Sequence, residues 1–489
     1  AAEEMRSRRR SKADDMVYDE QKRGNRQIFI ITYFFVALFL GMMVYITVFM
    51  VRDSADIINN SYNKRQEVLA KKVKRGKILS ADGKVLAKTI TDKKGNDKRY
   101  YPYNNMFCHV IGRITNSMTG VELSQCYPLL TSHANPLEQL MDNFKGKKKP
   151  GDNVVTTINY KLQKTAYDAI GSYRGAVVAM EPSTGKILAM VSKPDYNPNT
   201  VGKDWDKLIS GGDGNSALLN RATQGIYPPG STFKILTAAE YIIENGSKYK
   251  NYKYVCKGTD EFYGNKISCY GGEVHGKVNL NRAFSESCNG AFANIGLKLN
   301  TGSFKSLCEK FGFNRELSVN FEYKKSSFVL NGKSDKGEIM QTAIGQGKTG
   351  ITPLENVLIS STIANKGKMM VPYVVDHTES DSGKQVKKYS PKSAGKIIDK
   401  SVAVSVKNLM KSVVKDGTAS SLNRFSYRVA GKTGSAEFDS KGTSHAWFVG
   451  FAPADNPKIA VSIVVEGAGT GSRYAVPIAE KMFREYLGD

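Results

Sequence analysis

The hydrophobic pattern divides the chain into one membrane-length run and a series of shorter elements. Ile28 to Val51 is an unbroken stretch of 24 uncharged, mostly apolar positions, against the ~20 that a helix needs to cross a bilayer. No small-residue cleavage site follows it, so it reads as a retained anchor. Asp53 to Lys72 is polar and predicts a partly helical stalk. Lys74 to Ala87 predicts two short strands about the Asp82-Gly83 turn. Val154 to Ile158 predicts a strand, and Phe233 to Ile243 an apolar helix entered from the Pro228-Pro229-Gly230 turn. Leu354 to Ile363 predicts a second apolar helix, with Thr352 as N-cap and Pro353 in its first turn. Arg428 to Glu437 and Ala446 to Phe451 flank a polar turn, Asp439 to Ser444, and predict an antiparallel hairpin. Pro477 to Tyr486 predicts a closing helix.

A length of 489 residues with 40% hydrophobic content suits two folded parts beyond the anchor. The basic run Lys145 to Lys149, ending at Pro150-Gly151, marks the join. The predicted division is a tail (1–27), the anchor (28–51), a small pedestal (52–151) and a larger domain (152–489). Lys22, Arg23 and Arg26 crowd the N-terminal flank of the anchor, while Arg52 stands alone close to the other. The positive-inside rule then places the N-terminus in the cytoplasm and the larger domain outside.

A net charge of +25 raises the question of nucleic acid. The lysines are scattered, and no aromatic-interleaved basic repeat accompanies them, so that partner is rejected. Anionic lipid headgroups and polymers suit the surface better. Six cysteines, Cys108, Cys126, Cys256, Cys269, Cys288 and Cys308, lie beyond the anchor, where disulfides are permitted. A Cys256–Cys269 bridge is expected: it closes a short glycine-bearing loop and would add roughly 3 kcal/mol. Cys288 is expected to point into the core. The chain has neither His-Glu-x-x-His nor a cysteine pair at zinc spacing, so no metal and no cofactor is expected. His109, His133, His275, His377 and His445 lack a Gly-x-Ser-x-Gly elbow and are read as structural or solvated.

The chemistry concentrates in three islands: Ser231-Thr232-Phe233-Lys234, Ser287-Cys288-Asn289 and Lys432-Thr433-Gly434. They supply a serine with a lysine one turn away, a second hydroxyl beside an amide, and a second cation on a strand. That set can attack an amide carbonyl without histidine or metal. Ser-x-x-Lys also occurs at Ser61, Ser183, Ser247, Ser393 and Ser412, and Lys-Thr-Gly at Lys348. Ser421-Leu422-Asn423 imitates the second island. Only Ser231 opens an apolar helix, where N–H groups and the helix dipole favour negative charge. Lys432 sits in a hairpin strand, whereas Lys348 sits in a loop entering a helix, so Lys432 is preferred.

Ser231 is therefore the expected nucleophile. Lys234 is its base as the free amine, its pKa depressed by burial and by Lys432. Ser287 is the proton relay and Asn289 the orienting amide. Lys432 and Thr433 are expected to hold a carboxylate, Gly434 to admit a substrate backbone, and Ser231 and Ser435 to offer oxyanion N–H groups.

With these motifs in order, the chain resembles a class B penicillin-binding protein, a monofunctional D,D-transpeptidase. The likeness extends through Gly175 to Ala189, Gly345-Gln346-Gly347 before Thr352-Pro353, Ala364-Asn365-Lys366-Gly367, and the juxtamembrane Lys74 to Ala87 and Arg99 to Tyr103. Lys366 departs from the family's usual residue there. The resemblance implies an α/β (α+β) fold of the serine D,D-peptidase and β-lactamase type, a central antiparallel sheet flanked by helices. It also implies cross-linking of peptidoglycan stem peptides ending in D-Ala-D-Ala through a Ser231 acyl-enzyme, acylation by β-lactam antibiotics, and a SEDS-family glycan polymerase as membrane partner. A β-lactam-sensing receptor and a D,D-carboxypeptidase or β-lactamase are the alternatives. The bacterial cell membrane is the implied location, as a single-pass protein.

Overall fold

The computed structural model describes residues 16, 26–49, 65–134, 148–210, 216–438 and 442–489. Most of the predicted tail, the last two anchor residues, the stalk up to Lys64, Lys145 to Lys147 of the basic run and Asp439 to Lys441 of the hairpin turn lie outside the described residues. The chain divides into two units, Ala1–Lys64 and Arg65–Asp489.

In the first unit, Arg26–Phe49 is one continuous helix of 24 residues, long and apolar enough to cross a membrane. Its two threonines satisfy themselves: the Thr32 and Thr47 hydroxyls donate to the Ile28 and Met43 carbonyls at 2.8 and 2.7 Å. Such back-bonding leaves few polar groups facing lipid unpaired.

The second unit is organised on a five-stranded antiparallel sheet. Its strands are β1 (Gly175–Met180), β2 (Ile187–Lys193), β3 (Ala430–Glu437), β4 (Ser444–Ala452) and β5 (Ile459–Val465), in the order β3-β4-β5-β1-β2. Every residue of β1, β4 and β5 is buried. That is why these strands read as continuous apolar runs rather than alternating ones: helices cover both faces. Tyr160–Ile170 and Val476–Leu487 pack on each other and on the sheet, and Pro353–Ala364 packs on it with all of its residues buried. Thr352 caps that helix, accepting from the Glu355 N–H, with Pro353 in the first turn as expected. The predicted α/β (α+β) architecture with a central antiparallel sheet is present. β3 lies at the edge, which leaves one side of the third island open to a cleft.

A six-stranded sheet ties the pedestal to the larger domain. Its order is Gln385–Lys388, Val375–Glu379, Asn153–Thr156, Ile78–Leu79, Val85–Thr91, Asp97–Tyr100. Ile78 and Leu79 pair in parallel with Val154 and Val155, across the division read at 151/152. Residues on both sides of that division thus share one sheet within the second unit. Its own anchor point is Glu122, buried between Arg75 at 2.7 Å and Arg99 at 2.6 Å. Burial pushes this carboxyl up, but Arg99 and Arg75 outweigh it and hold the group below its usual range.

Candidate active site

The three islands, far apart in sequence, meet at one cleft of about 610 Å³. Its lining includes Ser231, Ser287, Asn289, Thr433, Gly434 and Ser435.

The nucleophile comes first. After Pro229 the chain tightens into a 3₁₀ turn, Gly230–Phe233, that runs directly into α1 (Lys234–Asn245). Four contacts fix this turn. Trp447 Nε1 donates to the Pro228 carbonyl at 3.1 Å, and the Thr232 hydroxyl to the Pro229 carbonyl at 2.8 Å. Gly230 N donates to the Gly345 carbonyl at 2.8 Å, and Asn356 donates to Thr232 Oγ1 at 3.2 Å. Gly345 has φ +82°, and a Cβ there would stand 1.9 Å from the Gly230 carbonyl oxygen. No other residue fits beneath the nucleophile turn.

The second island is a sharp reversal between α2 (Leu280–Ser285) and α3 (Asn289–Gly296). Ser287 takes φ +59°, and the Cys288 sulfur caps α3 by accepting from Ala291 N at 3.4 Å. A non-glycine residue in that left-handed region costs on the order of 1 kcal/mol and must be held by its surroundings. Two lysines help to hold it. Lys234 Nζ donates to the Ser287 carbonyl at 2.7 Å, to Ser287 Oγ at 3.3 Å and to Asn289 Oδ1 at 2.7 Å. Lys432 Nζ, from β3, donates to the same Ser287 Oγ at 3.0 Å and to the Thr433 carbonyl at 3.1 Å. Asn289 is oriented in turn, its Nδ2 donating to the Ser268 carbonyl at 2.9 Å.

Both lysines are fully buried. Burial lowers Lys234 to about 8, and lowers Lys432 well below its usual value, with the Lys234 charge adding to the effect. The sequence reading put that repulsion on Lys234; in the structure it bears on Lys432, and burial is the first cause for both. The arrangement can supply a free amine beside a hydroxyl relay. An arriving carboxylate would favour the charged form of Lys432.

Gly434 has a second reason beside the one expected. A Cβ there would lie 3.1 Å from Trp447 Cβ, 3.2 Å from Thr232 Cγ2 and 3.3 Å from the Pro229 carbonyl oxygen. The glycine makes room for the nucleophile turn as well as lining the cleft.

The decoys fall elsewhere. Ser183 and Lys186 lie at the β1–β2 turn, where Lys186 pairs with Asp376 at 3.2 Å. The Lys348 side chain is 80% exposed and 3.7 Å from Glu338. Ser412 is inside helix Lys400–Asp416, Ser393 opens a strand, and Ser61 lies outside the described residues. His109 is half-buried against the Pro194 carbonyl, and desolvation lowers it to about 4. His133 and His377 pair with Asp152 and Asp376, and His445 accepts from Gly467 N.

Sequence reasoning missed two features. Thr418 lines the cleft with its hydroxyl 2.5 Å from that of Thr433. Its signal was Gly417, at the end of helix Lys400–Asp416, where a Cβ would meet the Ser285 carbonyl oxygen at 2.4 Å. The second is a cysteine cluster. Cys256, Cys269 and Cys288 converge with His275, all buried, with donor atoms within 4.8 Å of one another. The linear spacing gave no sign of this cluster, in which His275 is buried with Nδ1 3.4 Å from Cys256 Sγ. The expected Cys256–Cys269 pair is brought together, but as two thiols 3.6 Å apart rather than a disulfide. Cys288 is core, as expected.

Comparison with known proteins agrees with this geometry. Residues 175–487 match the penicillin binding protein transpeptidase domain. The peptidoglycan D,D-transpeptidase PbpA of Mycolicibacterium smegmatis is 33% identical over 432 residues, covering 83% of this chain and 87% of that protein. MrdA of Acinetobacter baumannii, also a peptidoglycan D,D-transpeptidase, is 29% identical over 460 residues, covering 80% of this chain and 66% of that protein. Penicillin-binding protein A of Mycobacterium tuberculosis, solved as its ceftriaxone acyl-enzyme, superposes with a TM-score of 0.78 at 31% identity over 86% of this chain and all of that one. With the islands assembled and residues 175–487 matching the family, the chain belongs to the penicillin-binding protein transpeptidase family.

Proposed function

We propose that this protein is a peptidoglycan D,D-transpeptidase in which Ser231, Lys234, Ser287, Asn289 and Lys432 carry the chemistry. The observation behind this reading is the Lys234 amine, buried beneath the cleft and bonded at once to Ser287 and Asn289. The Ser231 hydroxyl gives its proton to the free Lys234 amine as its Oγ bonds to the penultimate D-Ala carbonyl carbon. N–H groups of Ser231 and Ser435 suit the developing oxyanion. The C–N bond to the terminal D-Ala then breaks, and Ser287 passes a proton to the departing amine. Thr433, with Lys432 and Thr418 beside it, suits the terminal carboxylate. An amine of a neighbouring stem peptide attacks the ester, and its proton returns to Ser231 Oγ. A β-lactam enters the first half of the same path.

The test is a stem-peptide thioester given with and without an acceptor D-amino acid. Transfer should dominate when acceptor is present. Hydrolysis that ignores the acceptor would indicate a carboxypeptidase or β-lactamase, and acylation without turnover a receptor.

The same reading puts the N-terminus in the cytoplasm and the second unit outside, on the strength of the basic flank. A fusion reporter at each end tests it. A SEDS-family polymerase suits the anchor as a membrane partner, because joining stem peptides needs fresh glycan at the same place. Thr32, Gly41 and Thr47 are the small or polar positions at which the anchor suits close approach of another helix. Because the pedestal shares a sheet with the larger domain, the clean test exchanges the anchor alone. Loss of co-purification with retained penicillin binding supports the pairing, and full retention rejects it.

A further inference from the structure

The catalytic cleft continues past the end of β3. A second groove, of about 560 Å³, shares Gln341, Gln346 and Glu437 with it. Beyond those three, its walls include Lys348, Thr349 and Phe438. Lys348 and Thr349 belong to the Lys-Thr-Gly triplet that the catalytic chemistry leaves unused. That triplet is firmly placed: Gly350 and Ser327 exchange backbone hydrogen bonds at 3.1 and 2.8 Å, and Ile351 and Tyr227 do so at 2.8 and 3.0 Å. The opposite wall is fixed as well, because Phe438 stacks on His445 with ring centroids 4.1 Å apart.

The groove carries charge of both signs and an unmet polar atom. Glu437 is exposed at the last position of β3. The Lys348 ammonium stands 3.7 Å from Glu338, too far for a hydrogen bond, on a side chain that is 80% exposed. Such a pair holds its partners weakly, so Lys348 is available to a ligand. Thr349 is 2% exposed, and its Oγ1 is buried at the wall with no hydrogen-bond partner among the described residues. Buried hydroxyls are ordinarily paired, which makes this one a place for a polar group to arrive.

The direction of the donor peptide decides what reaches this groove. Thr433, Ser435 and Glu437 stand two residues apart, so they face the same side of β3, and all three line the cleft. In the transpeptidase reading, on which this inference rests, the terminal carboxylate lies at Thr433 and the reacting carbonyl at the Ser435 N–H. The rest of the donor then runs along β3 towards Glu437. At about 3.3 Å per extended residue, a long side chain on the residue before D-Ala-D-Ala reaches Glu437 and enters the groove. We propose that the groove is a specificity site for that residue, selecting a side chain whose end carries both an ammonium and a carboxylate, as a diamino dicarboxylic acid does. Glu437 takes the ammonium and Lys348 the carboxylate, while Phe438 offers an apolar surface to the methylenes. The Gln341 and Gln346 amides can accept from the one and donate to the other. A lysine-type side chain meets Glu437 but sets a second cation against Lys348, and an uncharged one engages neither.

The test uses the full chain in detergent and three stem peptides with one D-Ala-D-Ala end, in which the preceding residue is a diamino dicarboxylic acid, lysine or norleucine. As donors to a common acceptor D-amino acid, their kcat/KM should fall about threefold from the first to the second and about tenfold from the first to the third. Lys348→Glu should reverse the order of the first two, and Glu437→Lys should remove the advantage of lysine over norleucine. Acylation of each variant by a fluorescent penicillin, which has no residue at this position, corrects for any damage to folding or to Ser231. Dissociation constants of the three uncleaved peptides from Ser231→Ala need no turnover and should rank the same way. They keep the two readings apart. Peptides bound in that order but not transferred would support the groove and defeat the transpeptidase reading, whereas equal transfer and equal binding would overturn the groove alone. A wild-type preference for lysine, or an order that Lys348→Glu leaves unchanged, would overturn it too.

Discussion

The buried amine of Lys234 makes the pH dependence of acylation the most demanding prediction. Burial takes this group from 10.5 to about 8. At pH 7 an amine of the ordinary value is neutral in roughly 0.03% of molecules and one at about 8 in roughly 10%, so the free base becomes roughly 300-fold more abundant. The sign follows from which form works. Only the unprotonated amine can take the Ser231 proton, so activity is present above about 8 and is lost as pH falls through it. The second-order rate of acylation by a fluorescent penicillin should therefore climb nearly tenfold per pH unit below about pH 7.5 and flatten above about pH 8.5. Lys234→Ala should remove this limb and lower the rate by roughly 100- to 10,000-fold, the usual worth of a general base. Burial is what lowers Lys234, with no part from Lys432. Lys432→Ala should then lower the rate without moving the limb from about 8. A profile flat between about pH 6 and 9 would remove Lys234 as the base. A limb that moves by more than about one unit in Lys432→Ala would show that the two amines share one proton.

Three further outcomes are expected. A fluorescent penicillin should label Ser183→Ala and Ser393→Ala like the wild type and fail on Ser231→Ala; label surviving on the last variant would mean another nucleophile. Gly345→Ala should lose more than about 3 kcal/mol of stability or fail to fold, because its Cβ would meet the Gly230 carbonyl, whereas Gly347→Ala, whose nearest neighbour would be Gln341 Cβ at 3.5 Å, should cost about 1 kcal/mol for its φ of +76°; equal melting temperatures would contradict the packing argument. Glu122→Ala strands the buried Arg75 and Arg99 and should cost about 3–5 kcal/mol in denaturant unfolding, a loss that a value under about 1 kcal/mol would refute.

What could be read from the sequence was what neighbouring residues decide together. The anchor needs only an uncharged run, and Thr352-Pro353 announces a helix start because a cap and a preset φ act within one turn. The choice of Ser231 over its imitators, and of Lys432 over Lys348, rested on a turn before a helix and on a strand in a hairpin, which are equally local. The shared six-stranded sheet was hidden for the opposite reason. Ile78 pairs with Val154, and Asn153–Thr156 pairs with strand Val375–Glu379, a register that no stretch of sequence states. A basic run ending in Pro150-Gly151 looks like a linker whether or not the strands on either side of it join the same sheet.

Gly434 shows the limit within an island that was found correctly. A glycine on a strand announces that something comes close, but not what. The expected visitor was substrate; the structure adds Thr232 and the Pro229 carbonyl, so the third island also supports the turn that presents the first. The same ambiguity covers the cysteines. Cys288 was assigned to the core from its place between two cleft residues, and it is buried. Yet burial alone does not separate a thiol packed among carbons from one packed beside other sulfurs. That distinction rests on Cys256, Cys269 and His275, which strand pairing brings to it: Gly276, next to His275, lies opposite Cys256 in the ladder. A thiol's chemistry is set by which donors share its space, and that information enters only when the strands pair.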